Sequence, residues 1–153
     1  MYYSGNEIVE ISISIEENGY AFYTEAAKNV EEQEMKNLFL DLASKEISHI
    51  GAFQKIGEVF KDQYIIDAPE DAELYIQNLA DKHIFKNKNA GIEKAKGLKN
   101  ADEILRIALQ FELESIDFYS SMLDRVSGNA KRIIQNIIEE EKEHASEIRS
   151  HIR

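Results

Sequence analysis

The chain has 153 residues, with 18 Lys+Arg against 29 Asp+Glu and a formal net charge of −11, which sets it against phosphate backbones and argues against nucleic acid as a partner. The absence of cysteine removes disulfides, thiolate zinc sites, iron–sulfur clusters and a cysteine nucleophile together. Seven Gly and one Pro are too few for a loop-rich all-β fold, no apolar run approaches the roughly 18 residues of a membrane span, and Met1–Glu10 shows no basic or apolar leader, so one cytoplasmic domain over 1–153 is expected.

Apolar residues recur at steps of three and four nearly throughout, the signature of helix. The first helix is expected from about Ser4, where Ser4 and Glu7 have capping-box spacing, to about Asn29. A second runs from about Glu32 to Phe60, and the few residues between the two demand an antiparallel hairpin. The long connection Lys61–Lys99 follows. Pro69 suits a helix start, Glu70–Phe85 reads as a shorter helix with Leu74, Ile76, Leu79 and Ile84 as its apolar positions, and Lys86–Lys99 as a loop or short irregular helix. A third long helix begins near Asn100, with Asn100 and Glu103 at cap spacing, and ends near Ser127–Gly128; a fourth spans about Asn129 to His151. Two helical hairpins joined by one long crossover is the ferritin-like connectivity of an all-α, antiparallel four-helix bundle.

On the seam that faces a bundle interior, the first helix places Val9, Ser12, Glu16, Gly19, Tyr23 and Ala26, and the second Met35, Phe39, Leu42, Glu46, His49, Phe53, Ile56 and Phe60. The third places Leu105, Ala108, Glu112, Ser115, Tyr119, Met122 and Val126, and the fourth Ile134, Ile137, Glu141, His144 and Ile148. Each seam is apolar towards its ends and carries a glutamate near its middle. Glu46 with His49, and Glu141 with His144, share a helical face because three residues is nearly one turn.

Four carboxylates aimed into one core repel each other and lose their hydration. Either they are protonated or divalent cations bind among them; four Glu⁻ and two M²⁺ sum to zero. Oxygen-rich ligation with one imidazole per metal and no sulfur suits iron or manganese better than a structural zinc. The halves also repeat: Glu16-x-x-Gly19-x-x-Phe22-Tyr23 returns as Glu112-x-x-Ser115-x-x-Phe118-Tyr119, each followed about 30 residues on by Glu-x-x-His.

These strings, the two Glu-x-x-His motifs and the crossover helix resemble the rubrerythrin branch of the ferritin-like diiron-carboxylate proteins, over essentially the whole chain. The resemblance implies that Glu16 and Glu112 are ligands from single helices, that Glu46, His49, Glu141 and His144 are the paired ligands, and that Glu46 and Glu141 bridge the metals. It implies two iron ions per chain, with manganese an alternative and zinc an occupant of purified protein, and an oxidoreductase that reduces O₂ or hydrogen peroxide. Iron oxidation for storage and a metal-binding module without turnover are the other readings. Rubrerythrins proper carry a further glutamate where this chain has Ser115, and a cysteine-ligated iron domain for which this chain has no cysteine. Electrons would come from a separate donor such as a rubredoxin-like protein, or from substrate iron. With no fifth helix read after the fourth, a homodimer is expected rather than a cage.

Glu17 and Glu114 compete with Glu16 and Glu112 for the ligand role but lie off the seams; in the acidic run Glu139, Glu140, Glu141 and Glu143 only Glu141 is on the seam, and a solvated face is expected for the others. For Tyr23 and Tyr119 two roles stay open: hydrogen bonds to ligating carboxylates, or core packing with a satisfied hydroxyl. Gly19 and Ser115 either leave room for an oxidant or allow close packing. His83 and His151 are assigned no function.

Overall fold

The computed structural model describes residues 5–59 and 70–153. Helix α1 (Gly5–Asn29) turns through Val30–Glu32 into α2 (Gln33–Val59), and the two pack side by side. Lys36 Nζ reaches back to the Ala27 carbonyl (3.2 Å), satisfying an acceptor that the end of α1 leaves free. In the crossover, α3 (Glu70–Lys82) and α4 (Ala90–Ala95) lie on α5 and α1 respectively. Helices α5 (Ala101–Met122) and α6 (Gly128–His151) form the second hairpin. Asn100 caps α5 as expected, its side chain accepting from the Glu103 N–H (3.1 Å). The expected features at Ser4, Phe60 and Pro69 lie outside the described residues. Among the described residues there is no strand, and no helix is long and apolar enough to cross a membrane.

Three boundaries differ from expectation. Helix α5 stops at Met122, giving way to a 3₁₀ turn (Leu123–Arg125) and extended residues at Val126 and Ser127. Gly128 then takes φ +59° at the start of α6, so it opens the following helix rather than closing the preceding one. Helix α3 stops at Lys82 instead of Phe85, because the next residues find better partners outside a helix. The His83 ring accepts the Phe85 N–H (3.0 Å), Glu114 accepts the Ile84 N–H (3.1 Å), and the Phe85 carbonyl accepts from Asn18 Nδ2 (2.7 Å). Of the expected apolar positions Ile76 is buried but Leu74 is half exposed, and Ala80, one turn beyond Ile76, completes the buried face.

The described seam residues are all buried. Above and below the four glutamates the core is aromatic and aliphatic. Phe85, inserted from the crossover, packs at a tilt between Phe22 (centroids 5.3 Å) and Phe111 (4.8 Å), and Phe53 lies 4.9 Å from Tyr119.

Candidate metal centre

Each of the four long helices delivers one fully buried glutamate at the same level: Glu16 from α1, Glu46 from α2, Glu112 from α5 and Glu141 from α6. His49 and His144 stand one turn beyond Glu46 and Glu141, with their rings 5.9 Å apart in a stacked arrangement. The six side chains sequence reasoning singled out meet at one place. They form two overlapping groups, Glu16–Glu46–His49–Glu141 and Glu46–Glu112–Glu141–His144. In each, one ligand-type atom per residue lies within 4.8 Å of the others. Glu46 and Glu141 belong to both.

Both histidines present Nδ1 inward. His49 Nδ1 is 2.9 Å from Glu141 Oε1 and 3.4 Å from Glu16 Oε2; His144 Nδ1 is 3.7 Å from Glu141 Oε2 and 3.8 Å from Glu112 Oε1. Glu16 Oε2, both oxygens of Glu46 and of Glu141, Glu112 Oε2 and the two Nδ1 atoms are buried with no hydrogen bond, facing one another only as charges. Native cores leave few such groups, and eight converging on one point fit a site built for cations.

The tyrosines resolve in favour of hydrogen bonding, and they cross the bundle to do it. Tyr23 on α1 donates to Glu112 Oε1 on α5 (2.6 Å), and Tyr119 on α5 donates to Glu16 Oε1 on α1. Burial, with the nearby glutamate charges, raises both phenols well above their usual range, so both stay protonated donors. Gly19 serves close packing: a Cβ there would fall 2.6 Å from Phe111 Cζ and 3.2 Å from Glu46 Oε2. The rubrerythrin family model matches residues 7–152.

The chain belongs to the rubrerythrin family. A solved structure from Thermotoga maritima, that of a candidate ferritin-like diiron-carboxylate protein, shares its fold with a TM-score of 0.69 at 24% identity, over 97% of this chain and 94% of that one. No curated protein matches the chain.

Without cations, this rubrerythrin-family core shares its charge with protons. Burial and the charge of Glu141 push the Glu16 carboxyl up to about 7. Burial alone would lower His49, but the carboxylates of Glu141 and Glu16 outweigh it and raise the imidazole to about 11. Glu141 is held low, because the two histidines beside it outweigh its own burial. Cations entering the site displace these protons, so binding releases acid.

Two residues beside the site escaped sequence reasoning. Glu140, expected on a solvated face, is half exposed yet places Oε2 2.6 Å from His49 Nε2. No sequence signal separated it from its acidic neighbours. His83 is buried at the end of α3, with Nε2 2.9 Å from Ser115 Oγ. Since Nδ1 accepts the Phe85 N–H, the ring proton sits on Nε2, which donates to Ser115. Burial lowers His83 to about 4, against a small opposing effect of Glu141. A base held neutral in the fold contributes stability that is present above its unfolded value of 6.5 and is lost as pH falls through about 4. Metal-free wild type is therefore expected to lose on the order of 3 kcal/mol more than His83→Gln between pH 7 and pH 4 in urea denaturation. Parallel losses in the two proteins would show that His83 has no such role. His151, left without function, lies at the far end of α6, 3.5 Å from Glu34.

Proposed function

We propose that this chain is a diiron-carboxylate oxidoreductase that reduces O₂ or hydrogen peroxide by two electrons. Glu16, Glu46, His49 and Glu141 would hold one ion, and Glu46, Glu112, Glu141 and His144 the other. The reading rests on the eight buried carboxylate and imidazole atoms without a hydrogen bond that converge in two overlapping groups. Their chemistry, hard oxygens with one imidazole per group, suits iron, with manganese or zinc as alternative occupants. When bound, a ferrous pair supplies the two electrons that the oxidant takes up. The chain's own contribution is positional. Tyr23 and Tyr119 each hold one oxygen, of Glu112 and Glu16 respectively, leaving the other oxygen of each buried without a hydrogen bond. Phe53, Phe111 and the tyrosine rings, all buried, keep bulk water from the centre. Electrons would return from an external donor such as a rubredoxin-like protein, and a homodimer is the proposed assembly.

Protein from iron-replete cells is expected to carry two iron ions per chain, and Glu46→Ala/His49→Ala to carry none. Less than one iron or manganese per chain, unchanged in the double variant, overturns the reading. Mixing the anaerobic Fe(II)-loaded protein with peroxide should oxidise two irons per peroxide consumed. Binding without oxidation would instead indicate a metal-binding module, and elution of a shell of about two dozen chains would indicate storage.

A further inference from the structure

The two halves of the bundle are not equivalent around their histidines. A histidine that offers one ring nitrogen to a metal is oriented by whatever holds the other nitrogen, and a carboxylate there fixes the tautomer and makes the ring a stronger donor. His49 has such a partner in Glu140, with Oε2 2.6 Å from Nε2, while its Nδ1 faces Glu141 and Glu16. Among the described residues no hydrogen bond or ion pair is made by Nε2 of His144, whose carboxylate neighbours Glu112 and Glu141 both lie at Nδ1. The difference is written into the repeat. Glu140 immediately precedes Glu141; the residue immediately preceding Glu46, in the matching place of the first half, is Lys45. An ammonium has no lone pair with which to accept an imidazole N–H.

We propose that Glu140 is a positioning residue that turns His49 Nδ1 to the centre, and that the ion position served by His49 consequently fills before the one served by His144. The inference rests on the metal centre proposed above. It makes the centre a graded one: a tight position on the α2 side and a looser position on the α6 side, so that partial loading gives singly occupied chains rather than a mixture of full and empty ones.

Cobalt(II) titration of the metal-free protein, followed by its visible absorption and by calorimetry, tests this. Wild type is expected to bind two ions in two steps separated by about 10- to 100-fold. Glu140→Ala should weaken the tighter step by that factor, bringing the steps together, while Glu140→Gln, whose amide oxygen can still accept from Nε2, should weaken it less. His144→Gln should keep the tight step and His49→Gln should lose it. Lys45→Glu, which offers the second histidine a carboxylate, should tighten the looser step. Two ions bound with equal affinity in wild type, or a tight step unmoved by Glu140→Ala, overturns the inference and leaves the metal centre standing. Failure to bind cobalt(II) at all overturns both.

Discussion

Glu46→Leu is expected to abolish binding of both ions and, at the same time, to make the metal-free chain more stable than wild type. Glu46 belongs to both ligand groups, so its loss breaks each of them. It is fully buried, and neither of its oxygens has a hydrogen-bond partner, so removing the carboxylate orphans no other group. Leucine fills similar volume and relieves both the desolvation and the repulsion from Glu16, Glu112 and Glu141. Replacing buried charges with packed apolar groups stabilises by about 1–4 kcal/mol in comparable cores. Glu16→Leu and Glu112→Leu should gain less, because they strand the buried hydroxyls of Tyr119 and Tyr23 at a cost of about 1–3 kcal/mol each. Urea denaturation in chelator, with metal content measured on the same preparations, decides it. A metal-free Glu46→Leu less stable than wild type would mean that the carboxylate is compensated in a way its surroundings do not show.

Gly91→Ala is expected to destabilise the chain by about 3 kcal/mol, although it adds a single methyl group. A Cβ at Gly91 would lie 1.9 Å from the Asn18 carbonyl oxygen and 2.7 Å from its carbon. Those are backbone atoms in the middle of α1, which cannot swing aside. Helix α4 must lift, and with it goes the clamp that fastens the crossover. Asn18 Oδ1 accepts the Gly91 N–H (3.0 Å), while its Nδ2 donates to the carbonyls of Phe85 (2.7 Å) and Asn87 (2.9 Å). Gly51→Ala is the control. Nothing lies within 4 Å of its added Cβ, so in the interior of α2 it should stabilise by about 0.5–1 kcal/mol. Thermal or urea unfolding of the two variants should move in opposite directions; a Gly91→Ala protein as stable as wild type would refute the tight docking of α4 on α1.

Much of the centre was legible in the sequence because the face a residue presents is a local property of a helix. Once Tyr23 and Tyr119 set the frame, Glu16 rather than Glu17, and Glu112 rather than Glu114, had to lie inward, and both are fully buried. The same register placed His49 and His144 beside Glu46 and Glu141. The pseudo-symmetry was legible too, since one hairpin's motif recurs in the other. Helix ends were less so. His83, Ile84 and Phe85 continue an apolar helical pattern, yet each makes a bond to a residue remote in sequence, to Ser115, Glu114 and Asn18 respectively.

The sequence by itself therefore determined which side chains face the interior of this rubrerythrin-family bundle, and that four of them are acids whose charge protons or cations must offset. Helical periodicity and charge suffice for that. Only the tertiary structure decided which groups hold those side chains: that each tyrosine serves the glutamate of the opposite hairpin, that Glu140, off the seam, reaches the outer nitrogen of His49, and that His83 closes on Ser115. Those pairings depend on the height and rotation of one helix against another, which a pattern along a single helix does not carry.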